Sequence, residues 1–229
     1  MGISKTPQSL GWAEIGVGIA TFGVALNMVA LVMGFAAPDR PVLQGVIGSF
    51  GGGIAGIAGF GAVFAMRRRS LAAFGIRYST VRWSVIASVM GVVGYGLSLI
   101  IVSAYQEVAG HHGENPQAIL HAAARGGAWP FLLSFLGGAV LTPIGEELLF
   151  RGVIANALNK YGAWAGVGLS SVIFGLVHGW SVVLWVAIMV GLLSAILLRR
   201  TGSVWPCIVL HAVYNGLHTV ESALSGSTV

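Results

Sequence analysis

Long apolar runs separated by short polar connections make up most of this 229-residue chain. A helix needs about 20 apolar residues to cross the hydrocarbon core of a bilayer. The pattern predicts seven such helices, at residues 11–37, 42–66, 83–105, 129–158, 164–179, 182–198 and 203–220. The run 129–158 is longer than one span requires, so we expect it to be tilted or broken near Pro143.

The composition is that of a protein that lies mostly within lipid. Hydrophobic residues make up 56% of the chain and charged residues 8%, whereas soluble domains contain about 25% charged residues. The predicted fold is therefore all-α, a polytopic transmembrane helical bundle of about seven to eight spans. The expected partner of this surface is the lipid bilayer.

Basic residues are distributed unequally between alternate connections. If the N-terminus is cytoplasmic, only Arg40 and Arg125 fall outside, against nine basic residues inside. Cytoplasmic loops are enriched in lysine and arginine, so the count predicts a cytoplasmic N-terminus. The net charge of +5 then reflects topology, and no nucleic-acid partner is expected. The nine inside residues are Lys5, Arg67, Arg68, Arg69, Arg77, Arg82, Lys160, Arg199 and Arg200.

Two adjacent acids, Glu146 and Glu147, lie inside the predicted span 129–158. An ionisable side chain at this depth costs about 2.5–3.5 kcal/mol on insertion scales, and it therefore indicates a functional site. Arg151 follows Glu147 by four residues, so the two can form an ion pair on one helix face. The alternative is a structural ion network, above all for Glu147, which could serve only to orient Arg151 or Glu146.

A second polar element, Phe174 with His178, lies in the next predicted span. Glu146 precedes Gly162 by sixteen residues, and His178 follows Gly162 by sixteen. Because antiparallel helices rise equally per residue, the carboxylate and the imidazole are predicted to reach the same depth. A core histidine bonded to a backbone carbonyl is the alternative for His178, and Phe174 is expected to be pocket wall.

A third polar element, His211 with Asn215, lies in the last predicted span. His211 follows Arg200 by eleven residues, which at ~1.5 Å per residue brings its side chain near the middle of the bilayer. Asn215 lies one turn further along the same face. The alternative is that both side chains act as polar contacts between helices.

Together these side chains provide the groups that peptide hydrolysis requires. A carboxylate beside an imidazole can take a proton from water and produce a nucleophile. Hydrogen-bond donors such as His211 and Asn215 can stabilise the oxyanion that forms when water attacks a peptide carbonyl. Hydrolysis within lipid also needs a water-filled opening, for which Pro143 and Gly145 are candidates. Amide hydrolysis is therefore the predicted chemistry.

The three motifs, in this order and on separate spans, resemble those of the CPBP family of intramembrane proteases. That family includes the type II CAAX prenyl endopeptidases and the Abi bacteriocin-processing proteins. The resemblance covers about residues 128–217, so 1–127 are interpreted as N-terminal spans and loops, and 128–229 as a catalytic core within one integrated membrane domain. It implies an eight-helix type of fold, with Glu146 and His178 activating water and His211 and Asn215 stabilising the oxyanion. The motifs are matched by Glu146, Glu147, Arg151, Phe174, His178, His211 and Asn215.

The resemblance leaves the metal and the substrate open. Glu146, His178 and His211 could bind a divalent metal such as zinc, since carboxylate and imidazole suit that ion. Family members are often labelled metalloproteases, but a glutamate and histidine mechanism that requires no cofactor is favoured. The resemblance implies a location in the bacterial plasma membrane, and the expected substrate is a membrane-associated peptide or protein, lipid-modified or not. The oligomeric state is not predicted.

Other classes of intramembrane protease fit the sequence less well. The chain contains no HExxH motif, and Asp39 is its only aspartate, which argues against the zinc site-2 type and the two-aspartate type. Two readings that are not proteases stay open: a membrane scaffold that regulates partners without cleavage, and a proton-coupled transporter. The latter is disfavoured because no inverted repeat is evident.

Two remaining patterns are given structural interpretations. Gly48, Gly52 and Gly56 recur every four residues and predict close helix packing. The polar connection 106–125 carries His111, His112 and His121, where a metal site is disfavoured because no Cys or Asp accompanies them.

Overall fold

The computed structural model describes residues 10–67, 70–109 and 117–225, and within these ranges it contains eight helices and no strand. The predicted all-α bundle is confirmed. A short 3₁₀ turn, Leu71–Phe74, precedes the third helix. The helices are α1 Trp12–Ala36, α2 Pro41–Arg67, α3 Val81–Ala109, α4 Ala118–Arg125, α5 Ala128–Tyr161, α6 Ala163–Leu176, α7 Val182–Thr201 and α8 Trp205–Leu224.

Five of these helices, α1, α2, α3, α5 and α7, are long and apolar enough to cross a membrane. The predicted fifth span is shorter, because α6 has only 14 residues and ends at Leu176, before His178. α8 has 20 residues, but its polar side chains leave it outside the group of clearly apolar spans. The sequence pattern therefore located seven helices correctly and overstated the apolar length of two.

The sequence pattern predicted that the connection 106–125 is a polar loop. The structure shows that part of it is helical instead. Residues 118–125 form the amphipathic helix α4, which contacts α2, α5 and α8. Its backbone at Ile119 lies so close to Gly45 of α2 that a Cβ there would overlap it. His121 lies on this helix, whereas His111 and His112 lie outside the described residues.

α5 continues through Pro143 without a break. Of the two alternatives predicted for this long run, a tilt or a break, the break is therefore wrong. The helix instead widens into π-helical segments, Leu136–Leu141 and Leu148–Ala155, on either side of the α-helical turn Thr142–Glu147. Pro143 has no N–H to donate, so one hydrogen bond of the helical ladder is missing at this position although the helix itself continues. Short π-helical segments are frequent at functional sites, and here they flank the two acids.

The α-helical pattern of α2 is interrupted where α5 inserts a side chain into it. Its two α-helical segments, Pro41–Ser49 and Gly51–Arg67, meet at Phe50. The Thr142 hydroxyl accepts a hydrogen bond from Gly53 N (3.0 Å) and donates one to Ser49 O (2.9 Å). A hydroxyl in this position replaces one rung of the helical ladder, which is a known cause of helix bending.

The glycines of α2 allow that close approach to α5. A Cβ on Gly56 would overlap the backbone at Gly145, and a Cβ on Gly53 would lie 2.7 Å from Leu141 C. A Cβ on Gly52 would overlap the Glu146 carboxylate, whereas Gly48 would make only ordinary contacts, at 3.5 Å and beyond. The predicted packing role of the glycine stripe is confirmed for Gly52 and Gly56.

The two ends of the bundle differ in charge. At one end, which we call the basic end, Arg67 of α2 pairs with the buried Glu14 of α1. There Ser203 Oγ also donates a hydrogen bond to Arg77 O (2.8 Å). The opposite end, which we call the α4 end, has Arg125 Nε donating to Ser222 O (2.8 Å).

Candidate active site

Glu147 is fully enclosed and has several polar partners. Its Oε2 lies 3.1 Å from Arg151 Nε, at the predicted spacing of four residues. Its Oε1 accepts hydrogen bonds from His211 Nδ1 (2.9 Å) and Ser194 Oγ (3.3 Å). Neither Glu147 nor Arg151 exposes surface to solvent, since both are 0% accessible. This carboxylate is therefore held between a guanidinium, an imidazole and a hydroxyl.

Arg151 is fixed by contacts on two sides. Its Nη2 donates a hydrogen bond to Gly191 O of α7 (3.0 Å), and its Cζ lies 4.5 Å from the centre of the Phe174 ring. Its Nε and Nη1 have no well-aligned hydrogen-bond acceptor, so its attraction to Glu147 is mainly that of an ion pair. Truncation of either partner would leave the other charge buried and uncompensated.

His211 lies between the two carboxylates. Because a carboxylate accepts hydrogen bonds, the 2.9 Å contact with Glu147 assigns a proton to His211 Nδ1. Nε2 then lies on the side of Glu146, 3.9 Å from its Oε2. That distance is too long for a direct hydrogen bond. In the neutral ring, Nε2 is therefore an acceptor.

His178 lies just beyond the last residue of α6, in the turn that leads to α7. Its Nδ1 donates a hydrogen bond to Phe174 O (2.7 Å), and its ring packs against Phe174 with a centroid distance of 4.7 Å. The backbone bond expected as the structural alternative is thus present. It fixes the tautomer of His178 and leaves Nε2 as the acceptor nitrogen.

Asn215 connects α8 to the first π-helical segment of α5. Its Nδ2 donates a hydrogen bond to Gly138 O (2.8 Å). The second N–H of the amide and the carbonyl oxygen are not used by this contact. The role of Asn215 as an oxyanion donor stays a prediction, and its role as a contact between helices is observed beside it.

Phe174 is the aromatic wall of the site, as expected. It packs edge-on against His211 at a centroid distance of 5.8 Å and against Phe150 at 4.9 Å. With Arg151 over its face, it separates the buried ion pair from the rest of the site.

A cavity of about 390 Å³ connects the predicted residues. Glu146, His178, His211 and Asn215 all line it, but Glu147 and Arg151 do not. The structure therefore brings four of the predicted polar side chains to one space. It places the other two behind the wall of that space.

The other residues that line the cavity include Gly52, Ser134 and Thr142, none of which was among the predicted site residues. Thr142 precedes Glu146 by four residues, so helical spacing could have indicated it. Ser134 is buried, and its hydroxyl has no hydrogen-bond partner. Gly52 approaches Glu146 through the packing of α2 on α5. The glycine spacing predicted close packing of α2, but it could not indicate which helix would be the partner.

A metal ion does not find a ready set of ligands here. Zinc sites in proteins use at least three side-chain ligands at close range. Across the residues that the structure describes, no three His, Cys, Asp or Glu side chains are grouped in that way. The Nδ1 atoms of His178 and His211 are bound to Phe174 O and Glu147, and their Nε2 atoms stay available as acceptors, an orientation that histidine ligands of metals also show. The described side chains are not grouped closely enough to form a three-ligand zinc site as they stand, and the suggested ligand set Glu146, His178 and His211 stays a prediction.

The bundle and its buried polar site define a polytopic membrane protein with a carboxylate, imidazole and amide centre. Residues 127–217 match the family described as "Type II CAAX prenyl endopeptidase Rce1-like", a segment that contains every predicted site residue. Over this segment, the match confirms the resemblance inferred from the three motifs.

One curated relative is the "Putative membrane peptidase YdiL" of Bacillus subtilis (strain 168), which is 36% identical over 107 residues. That match covers 46% of this chain and 42% of the relative, so the chain spans less than half the length of the relative that it matches. No solved structure matches the chain. At the family level the comparisons support a membrane protease.

Proposed function

We propose that this protein is an intramembrane endopeptidase that hydrolyses peptide bonds of membrane-associated or lipid-modified substrates. The observation that carries the proposal is the separation of the two acids. Glu146 lines the cavity together with His178, His211 and Asn215. Glu147 is enclosed behind that cavity and is bound to Arg151 and His211.

In the proposed reaction, Glu146 accepts a proton from a water molecule as the water oxygen attacks the peptide carbonyl carbon. His178 assists through Nε2, which is an acceptor because Nδ1 donates to Phe174 O. Positioned general bases of this kind typically contribute about 10²–10⁴-fold to a rate. The proton then passes to the leaving nitrogen as the carbon–nitrogen bond breaks.

The negative charge that develops on the carbonyl oxygen needs donors. Asn215 supplies the N–H that is not bound to Gly138 O. His211 donates from Nε2 when its ring is protonated, and the Glu147 carboxylate at Nδ1 offsets that positive charge. Preorganised donors in a site shielded from water stabilise such an oxyanion strongly. Glu147 and Arg151 are thus positioning residues that act through His211.

The same arrangement supports a mechanism without a metal cofactor. Glu146 and the two histidines provide a base, an assisting base and a donor. No step requires a Lewis acid, and the donor set does not form a three-ligand site among the described residues. Catalysis would then persist after removal of divalent ions.

The test compares peptide termini from membranes and culture medium of cells that express wild type, Glu146→Gln, or no protein. Glu107→Gln is a matched control, because Glu107 is exposed near the end of α3, away from the cavity. Termini that appear with wild type and Glu107→Gln but not with Glu146→Gln support proteolysis. If Glu146→Gln gives the wild-type set, or no terminus depends on the protein, the proposal fails and the scaffold interpretation is favoured.

A further inference from the structure

The cavity extends from the candidate catalytic residues toward one end of the bundle only. On α5 it is lined from Ser134 to Glu146, and on α8 from His211 to Ser222. These two helices are antiparallel, so both stretches run from the site to the α4 end. On α7 the lining residues likewise fall between Val182 and Val190, in the half nearest that end. The eleven residues from His211 to Ser222 correspond to a path of about 16 Å.

On the opposite side of the site, toward the basic end, the bundle is tightly packed. Phe150, Arg151 and Ile154 of α5 are 0% exposed, as is Leu210 of α8. The three side chains of α5 lie one to two turns from Glu146 in the direction of the basic end, and Leu210 directly precedes His211 on that side. None of the described residues on that side of Glu146 in α5 or of His211 in α8 lines the cavity. The site therefore has no route through the core toward the basic end.

The path toward the α4 end carries several polar groups among apolar ones. α4 contributes His121 to the lining, and Gln117 lies at its first turn. Burial lowers the pKa of His121, and Arg125 lowers it further while Glu221 opposes the shift. On the bundle side, Ser98 Oγ lies 2.9 Å from His218 Nε2. These groups can hydrate a channel, and the unpartnered hydroxyl of buried Ser134 lies along the same path.

The distribution of basic residues assigns the two ends to sides of the membrane. The described residues at the α4 end include Arg40 and Arg125. The described basic residues at the basic end number six: Arg67, Arg77, Arg82, Lys160, Arg199 and Arg200. Loops rich in lysine and arginine stay in the cytoplasm. The basic end is thus cytoplasmic, and the α4 end lies on the other face.

We propose that the cavity opens to the extracytoplasmic face of the membrane. Its substrates are then peptide segments in the outer half of the bilayer or on exported chains, not the ends of cytoplasmic proteins. The direction of opening rests on cavity geometry and charge alone. The statement about substrates rests in addition on the proposed function.

The direction of opening can be tested by cysteine accessibility. The native Cys207 is buried, so the wild-type chain measures background labelling. Thr219→Cys and Gln117→Cys place thiols on the cavity path. Tyr78→Cys is the control at the basic end, because Tyr78 is 84% exposed and follows Arg77. Intact and permeabilised cells are treated with a small, positively charged thiosulfonate reagent that does not cross membranes.

We expect Thr219→Cys and Gln117→Cys to react in intact cells, and Tyr78→Cys to react only after permeabilisation. The reverse pattern would overturn the proposal, as would failure of both path thiols to react in intact cells while Tyr78→Cys behaves as expected. The experiment gives the same answer in a Glu146→Gln background. Refutation of the proposed protease activity and refutation of the proposed direction of opening therefore give different experimental results.

The substrate statement has a separate test in the same peptide termini. Cut sites that depend on Glu146 are mapped onto the topology of the proteins from which they arise. We expect them on extracytoplasmic segments or in the outer half of membrane spans. Sites confined to cytoplasmic segments would refute the substrate statement even if proteolysis itself is established.

Discussion

The contact between Gly52 and Glu146 gives the sharpest test of the site. In Gly52→Ala the new Cβ would lie 2.9 Å from Thr142 Cγ2 and 3.3 Å from Glu146 Cδ, and closer still to Oε1. Carbon atoms at optimal contact are about 3.5–4.0 Å apart. The carboxylate must therefore move by ~1 Å, because the α2 backbone is held by its packing on Gly145 and Thr142.

A displacement of this size in a reacting group can cost about 10²-fold in rate. We expect Gly52→Ala to lower kcat by about 10- to 100-fold, with a stability loss within the range of about 1–3 kcal/mol typical of overpacking. Gly48→Ala is the matched control one turn earlier, since its Cβ would have its nearest neighbour at 3.5 Å. It should retain nearly full activity.

The assay measures cleavage of a fluorogenic peptide, built around a cut site found in cells, by purified protein in liposomes. Thermal unfolding of each variant is measured in parallel. Glu146→Asp, which shortens the side chain by one methylene, should lose less activity in the Gly52→Ala background than in wild type, because the two changes are coupled. Full activity of Gly52→Ala would refute the proposed contact. Equal losses in Gly52→Ala and Gly48→Ala would instead indicate general packing damage.

Three further outcomes are expected. Glu147→Ala should lower the free energy of unfolding by about 3–5 kcal/mol, measured by thermal or denaturant unfolding, because it leaves Arg151 buried without its partner. Glu146→Gln should change this stability much less, and equal losses in the two variants would contradict the different roles of the two acids. Thr142→Val should lose about 1–3 kcal/mol of unfolding free energy, because Gly53 N and Ser49 O lose their shared hydrogen-bond partner. Thr142→Ser should retain most of the wild-type stability. If the serine variant is as unstable as the valine variant, the hydroxyl bridge is not the cause of the loss. Dialysis against a zinc chelator should leave the cleavage rate within about two-fold, since general acid–base catalysis of this kind needs no metal; a loss restored by added zinc would contradict the metal-free mechanism.

Local patterns in the sequence were enough to determine the class of the protein and the identity of its polar residues. Apolar runs located the helices because a segment surrounded by lipid must satisfy its backbone groups internally. Spacings of four residues paired Glu147 with Arg151, because such neighbours lie on one helix face. Both inferences depend only on residues close together in the chain.

The sequence could not assign different roles to Glu146 and Glu147, which are adjacent and chemically identical. Their difference arises because Glu146 points toward the cavity beside Gly52, whereas Glu147 is enclosed by groups from α7 and α8, including Ser194 and His211. The π-helical segments around the acids also depend on this packing. Their geometry is stabilised by contacts such as Asn215 with Gly138 O.

What the sequence by itself determined, therefore, is an all-α membrane bundle that carries three polar motifs in order. Only the tertiary structure decided which acid faces the cavity, how α2 completes the site from outside the matched segment, and toward which end the cavity extends. The physical reason is that helical periodicity fixes the face of a residue on its own helix. Which neighbour, or which space, that face meets is decided by contacts between residues far apart in the chain.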